Sequence, residues 1–252
     1  REPTPVKEGA RATIEAVSLD RPDHIVVGIN ERDPQIFDLY RVDVTTGERE
    51  LLKENPGYAA WLIDNALEPR FGFVPTPEGG GNVVDFEGNV FTVIPPEDFL
   101  ATQAIGFTDD NSAVYMIDSR GRDKAALTRV DIASKESTVL AASDQADISE
   151  ILTDPETNEP VAYSVNYLKS SWYHLTPAAE TDLAAIAAQL DGSLSIVSTT
   201  RDMSRWIVHE DYSVGLEPGM PESMMKALQE RGHDASFDHR PGVFGGAQII
   251  RR

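Results

Sequence analysis

A unit of about 44 residues recurs along this chain, and nothing else in the sequence limits its fold as much. The stretch Tyr40-Arg41-Val42-Asp43-Val44-Thr45-Thr46-Gly47 returns as Thr128-Arg129-Val130-Asp131-Ile132-Ala133-Ser134-Lys135, and midway lies a third copy, Val84-Asp85-Phe86-Glu87-Gly88. A second series, an acidic turn followed by a strand, runs in step with the first. Its markers are Asp20, Asp64, Asp110, Asp154 and Asp202, at intervals of 44, 46, 44 and 48. Each unit holds short β-branched and aromatic runs bounded by Asp, Asn, Gly and Pro, which read as strands joined by tight turns. A period in the forties with up to four strands per unit is the mark of a β-propeller blade, whose two sheet faces are buried only by stacking on neighbours. The expectation is an all-β fold of about five blades over residues 1–213.

Two segments depart from the repeat. Pro177 to Leu190 has Leu183, Ile186, Ala187 and Leu190 at helical spacing, with Thr181 and Asp182 able to start a helix. It predicts a short helix inserted between strands of the fourth unit, covering a sheet edge or docking a partner. Residues 214–252 form a second part, a small αβ tail. There Pro221 opens a helix through Leu228, Gly232 caps it, and a strand follows through Ile249-Ile250.

The chain carries 42 acidic against 22 basic residues, a formal charge of −20. So negative a surface repels phosphate backbones and anionic lipid, which argues against nucleic-acid and membrane-surface partners. There is no cysteine, which removes disulfides, thiolate catalysis and cysteine-ligated zinc and leaves the compartment open. The longest apolar run, around Leu183 to Ala188, is far too short to cross a bilayer. The chain opens on Arg1 with no basic-then-apolar leader, so it is expected to be processed or part of something longer.

The run from Val27 to Asp43 (VGINERDPQIFDLYRVD) resembles propellers of bacterial dipeptidyl aminopeptidases and acylaminoacyl peptidases, in the prolyl oligopeptidase family, and Thr199 to Ser213 (TTRDMSRWIVHEDYS) is similar to a later blade. The resemblance covers about residues 10–213. It implies a propeller that caps an α/β-hydrolase domain, restricts entry to short peptides and supplies no nucleophile. Family members carry seven or eight blades, so upstream blades and ring closure are in question. In the tail, Gly215-Leu216-Glu217-Pro218-Gly219-Met220-Pro221, Ala227 to Asp234 and Phe244-Gly245-Gly246-Ala247-Gln248 resemble the C-terminus of γ-glutamyltranspeptidases.

Reactive groups are hard to find. A hydrolase elbow needs G-x-S-x-G; the nearest match, Asp211-Tyr212-Ser213-Val214-Gly215, has Asp at the first Gly and reads as a propeller strand. A γ-glutamyltranspeptidase-type nucleophile is an N-terminal threonine, but Thr45-Thr46 and Thr199-Thr200 belong to the repeats. Of His24, His174, His209, His233 and His239, only the last two are close, with Asp234 and Asp238 between them, and six residues fit no standard zinc pattern. Gly79-Gly80-Gly81 lacks the Lys-Ser/Thr of a phosphate loop and reads as a flexible hairpin tip, and Asp109-Asp110 as turn-formers rather than calcium ligands. Trp61, Trp172, Tyr173 and Trp206 are expected beside strand starts at comparable places, packing between blades or forming a peptide-binding rim. No catalytic, cofactor-binding or metal residue is assigned, and no cofactor is expected. The reading is a non-catalytic propeller portion of a serine peptidase that gates access or mediates interaction. Its partner is a peptide or protein: the missing hydrolase domain, another chain, or a second copy through open blade edges. The alternatives are a free-standing binding module and a small partner of a γ-glutamyltranspeptidase-like subunit.

Overall fold

Each repeat folds as a run of antiparallel strands in sequence order, as short β-branched runs between turn residues require. The computed structural model describes residues 7–167, 169–190, 192–211, 213–216, 220–231 and 234–237. The first sheet is β1 (Ala12–Val17), β2 (His24–Asp33), β3 (Ile36–Asp43) and β4 (Arg49–Lys53); the second is β5 (Ala60–Ile63), β6 (Pro69–Pro75), β7 (Gly81–Val84) and β8 (Val90–Ile94). The third holds β9 (Gln103–Phe107), β10 (Ala113–Asp118), β11 (Ala126–Asp131) and β12 (Ser137–Ala141). The fourth has three strands, β13 (Ile148–Thr153), β14 (Pro160–Asn166) and β15 (Ser170–His174), and the fifth has two, β16 (Ser193–Thr199) and β17 (Trp206–Asp211). The architecture is all-β, in five propeller-like units.

The repeated aspartates are the turns. In the third unit Thr108 Oγ1 donates to Asp110 at 2.7 Å, Asp110 accepts from the Ser112 amide at 3.0 Å, and Asn111 sits at φ 56°. The fifth unit repeats the device: Thr200 donates to Asp202 at 2.7 Å, Asp202 accepts from the Ser204 amide at 3.1 Å, and Met203 sits at φ 56°. Between third and fourth strands, Asp43 accepts from the Thr45 and Thr46 amides and Asp131 from those of Ala133 and Ser134. Those turns close on Gly47 at φ 79° and Lys135 at φ 61°. A carboxylate that satisfies two amides of its own turn makes a tight reversal stable without tertiary help.

The core lies between sheets. All six residues of β10 are buried, the pattern of a strand covered on both faces. Phe71 stacks on Phe91 with ring centroids 4.7 Å apart, and Phe107, Val114 and Met116 of the third sheet close the same cluster. Fully burying each such side chain stabilises by about 1.5–3 kcal/mol. Val26 and Leu39 of the first sheet pack on Leu67, Trp61 and Ile63 of the second. The first-strand hairpins are tied in series: Ser18 Oγ donates to the Asn65 carbonyl, Asn65 Nδ2 donates to the Thr108 carbonyl, and the Asn65 amide donates to Asn111 Oδ1. β1 approaches β5, and β5 approaches β9. The first strands therefore converge along one edge, as blades about an axis do.

The helix differs in place and start from the sequence expectation. α1 (Pro177–Ala187) follows β15, where the first three sheets have their fourth strand, rather than lying between strands of the fourth sheet. Thr176, not Thr181 or Asp182, caps it: its side chain accepts from the Ala179 amide, and Pro177 takes the first turn, where its missing N–H costs nothing. Leu183 and Ala179 are buried against Val161 and Ala162.

The tail is a small αβ unit. β18 (Ser213–Leu216) pairs in parallel with β19 (Asp234–Phe237), and α2 (Glu222–Gln229) joins them, with Pro221 just before its first turn and no side-chain cap. Ser213 thus opens a parallel pair and is not in a propeller hairpin. Gly232 and the Ile249-Ile250 strand lie outside the described residues. Among the described residues no helix is long and apolar enough to cross a membrane.

Candidate functional site

The residues singled out in the sequence are dispersed. His24 opens β2, His209 lies in β17, and His174 ends β15 with Nε2 3.8 Å from the Glu180 carboxylate. His233, His239 and Asp238 lie outside the described residues, and Asp234 begins β19. Among the described residues no three His, Asp or Glu side chains gather as a metal site. Thr45, Thr46 and Thr200 are turn residues, and Thr199 ends β16. Asp109 and Asp110 belong to the turn at 108–112. Gly79, at φ 102°, makes the hairpin tip, but Gly80 and Gly81 are held by packing rather than free: a Cβ on Gly81 would collide with the Phe73 ring, and one on Gly80 with the Ile94 carbonyl.

The tryptophans do not occupy equivalent places. Trp61 is in a first strand, Trp206 opens a second strand, and Trp172 and Tyr173 are in a third strand. They pack between sheets nonetheless: Trp61 against Val26 and Leu39, and Trp172 and Trp206 together beside Leu183. Trp172 Nε1 donates to the Leu194 carbonyl of the next sheet at 3.0 Å.

The side chains that form an accessible site lie where the first strands converge. A cleft of about 440 Å³ between the first and second sheets is lined by Glu15, Phe37, Tyr58 and Trp61 among others. Tyr58 meets Trp61 edge-to-face at 5.1 Å, Phe86 adds a third ring 6.0 Å from Trp61, and Lys53 Nζ lies 4.3 Å from the Phe86 centroid. Glu15 occupies a β-bulge in β1 and lies over Gly28, whose missing side chain leaves it room. Loss of hydration pushes the Glu15 carboxyl above the ordinary range. A second cavity, between the second and third sheets, is almost wholly apolar. Sequence reasoning found Trp61 but missed Glu15, Tyr58 and Phe86. The Asn55-Pro56-Gly57-Tyr58 linker was the available signal for Tyr58, since Asn55 turns the chain by accepting from the Gly57 and Tyr58 amides.

Two ion pairs brace this edge. Asp38 is held below its usual range by hydrogen bonds from Arg32, which outweigh its burial and are joined by the Asn55 amide. Asp118 meets Arg120 through two 2.8 Å bonds; burial works to raise its pKa, but the bonds from Arg120 hold it below the usual range. Arg120 also donates to Thr92 and to the Val93 carbonyl of β8, clamping the third sheet onto the second. Hydroxyls do meet carboxylates, as in Thr108–Asp110, Thr200–Asp202 and Ser119–Asp98, but none of these six residues lines either cleft. The two clefts offer aromatic rings, the Glu15 carboxylate and apolar walls.

No protein-family model matches the chain. Over 202 residues it is 37% identical to dipeptidyl aminopeptidase BIII of Pseudoxanthomonas mexicana, covering 78% of this chain and 29% of that protein. It is 24% identical over 208 residues to dipeptidyl peptidase family member 6 of Caenorhabditis elegans, covering 77% and 28%. The chain thus spans less than a third of the length of either relative. Among solved structures, TolB from Acinetobacter baumannii superposes with a TM-score of 0.47 at 15% identity, covering 66% of this chain and 41% of that one. An oligogalacturonate lyase in complex with manganese gives a TM-score of 0.38 at 14% identity, covering 82% and 55%. The likeness of residues 214–252 to γ-glutamyltranspeptidase tails finds no support in any of these matches. Over about 200 residues of repeating sheet, this chain is homologous to the dipeptidyl peptidases of the prolyl oligopeptidase family.

Proposed function

We propose that this chain is the non-catalytic propeller portion of a dipeptidyl-peptidase-like serine peptidase, and that its part is to admit extended peptides and to hold them or a partner domain. The observation that carries the reading is the 37% identity over 202 residues to a dipeptidyl aminopeptidase, on a segment that here folds as blade-like sheets. Three further features support it. The first strands converge on one edge, where a channel forms in a stack of blades. That edge is lined by rings and the exposed Glu15 carboxylate, which suit binding. Finally, the face of the first sheet turned away from the second carries Ile14, Val17 and Leu51, exposed by 64, 71 and 46%, beside buried Val27 and Val42. An apolar face of this kind suits association with another body.

The test is direct. The purified chain is incubated with dipeptidyl and acylaminoacyl p-nitroanilides and with a fluorophosphonate probe. No turnover and no labelling are expected. Turnover that the fluorophosphonate abolishes would overturn the non-catalytic reading. Unblocked extended peptides should shift the emission of Trp61, and a response equally strong to folded proteins would refute selection for extended chains.

A further inference from the structure

We propose that the cavity between the second and third sheets is a binding site for one apolar side chain of a peptide, aromatic or branched aliphatic. It holds about 440 Å³, within the range of small-ligand sites. Its floor is the buried cluster of Phe91, Val114 and Met116. Its mouth stays open because Ala60 and Ala104 line it from β5 and β9, first strands that approach each other. One wall is Phe99, 41% exposed, whose ring stacks on Phe73 at 5.7 Å and which follows the rigid Pro95-Pro96 turn.

The polarity selects the occupant. Two polar side chains line the cavity, those of Thr92 and Thr102; Gln103 pairs with Ile117 and so lies on the opposite face of β9 from Ala104. Thr92 Oγ1 accepts from Arg120, and Thr102 Oγ1 pairs with Ser119 Oγ at 3.0 Å while accepting from its amide at 3.1 Å. Both hydroxyls are engaged in the fold, so a charged ligand would shed its hydration and find no partner. An apolar group gains about 25 cal/mol per Å² buried, and an apolar cavity of this kind stays dry until such a group fills it. β9 is the edge strand of its sheet among the described residues, so its outward backbone N–H and C=O groups are offered beside the mouth. Such an edge matches a peptide backbone and sets a side chain borne on a peptide apart from a free hydrocarbon. The site stands whether or not the chain serves a hydrolase, because every wall belongs to these two sheets and the segment joining them.

The full chain, isotopically labelled, is titrated with N-acetyl-phenylalaninamide, with the amide of N-acetyl-aspartic acid, and with toluene, following the signals of Trp61, Gln103 and Ala104. The phenylalanine amide should shift all three saturably and the aspartyl amide none. Ala104→Phe should weaken binding at least tenfold, and Ala60→Phe, which fills the mouth from the opposite strand, should do the same if Ala104→Phe disturbs the fold. The phenylalanine amide should bind at least several-fold more tightly than toluene. Equal binding of the aspartyl amide, undiminished binding in both filled variants, or toluene bound as tightly as the amide would each overturn the assignment.

Discussion

Replacing Arg120 by alanine should strand a buried charge and loosen the third sheet from the second. The Asp118 and Arg120 side chains are 6% and 23% exposed. Loss of one partner of such a pair costs about 3–5 kcal/mol, mostly the penalty of the charge left behind. Two groups soften the loss: the backbone amide at position 120 still donates to Asp118, and Arg122 still acts on it. The expected cost is therefore near the lower limit, about 3 kcal/mol, which at a urea dependence of ~3 kcal/mol per molar lowers the midpoint by about 1 M. Adding Asp118→Asn to the variant should restore part of this, with a coupling of about 2 kcal/mol. The pH dependence has a defined sign. In the native chain the Asp118 pKa lies below its unfolded value of ~3.9, so its stabilisation is present above that value and is lost as pH falls through the folded pKa. Without Arg120, burial dominates and raises the folded pKa above the unfolded one. The deficit of the variant should then narrow as pH falls from 7 toward 4. A midpoint change below about 0.2 M, or a deficit that widens on acidification, would refute the clamp.

Gly81→Ala should destabilise by about 1–3 kcal/mol through overpacking on Phe73, read as a lower melting temperature, because the added carbon has no room. Thr176→Ala should cost about 1 kcal/mol and speed amide exchange in α1, while Thr176→Ser should keep most of the cap. Asp110 and Asp202 should titrate at about 2, because a threonine hydroxyl and serine groups hold each carboxylate ionised. Their turns should hold above pH ~3.9 and loosen as pH falls toward 2, which carboxyl NMR titrations check against Asp110→Asn and Asp202→Asn.

The fold was legible because its turns are written locally. An Asp that binds amides two or three residues on needs no distant partner, so the markers at 64, 110, 154 and 202 all proved to be first-to-second-strand hairpins. The helix was half legible: its apolar spacing shows in the sequence, but its start at Pro177 depends on Thr176 being extended, and its place depends on a fourth strand that the fourth sheet lacks. The candidate site was scarcely legible. Glu15 joins the cleft only because a bulge turns it over Gly28 and beside Phe37, and Phe99 becomes a wall only when its ring finds Phe73, 26 positions earlier. The likeness of the tail to γ-glutamyltranspeptidases rested on short motifs with no such physical support.

The repeat itself explains where specificity resides. The first four units keep a buried centre in the second strand and the Asp turns recur along the chain, so those positions resemble one another. The second residue of the first strand is under no such constraint, and it reads Thr13, Trp61, Ala104, Ser149 and Leu194 in the five sheets. These positions lie along the edge where first strands approach one another, so each gap between sheets acquires its own chemistry while the backbone repeats. Trp61 gives the gap between the first and second sheets an aromatic wall, and Ala104 gives the gap between the second and third an open throat. Exchanging the two residues should move the cavity rather than unfold the sheets: a double variant carrying Trp61→Ala and Ala104→Trp should keep its β-sheet circular dichroism and lose the shift induced by N-acetyl-phenylalaninamide. If instead both properties collapse together, packing rather than recognition selects these residues.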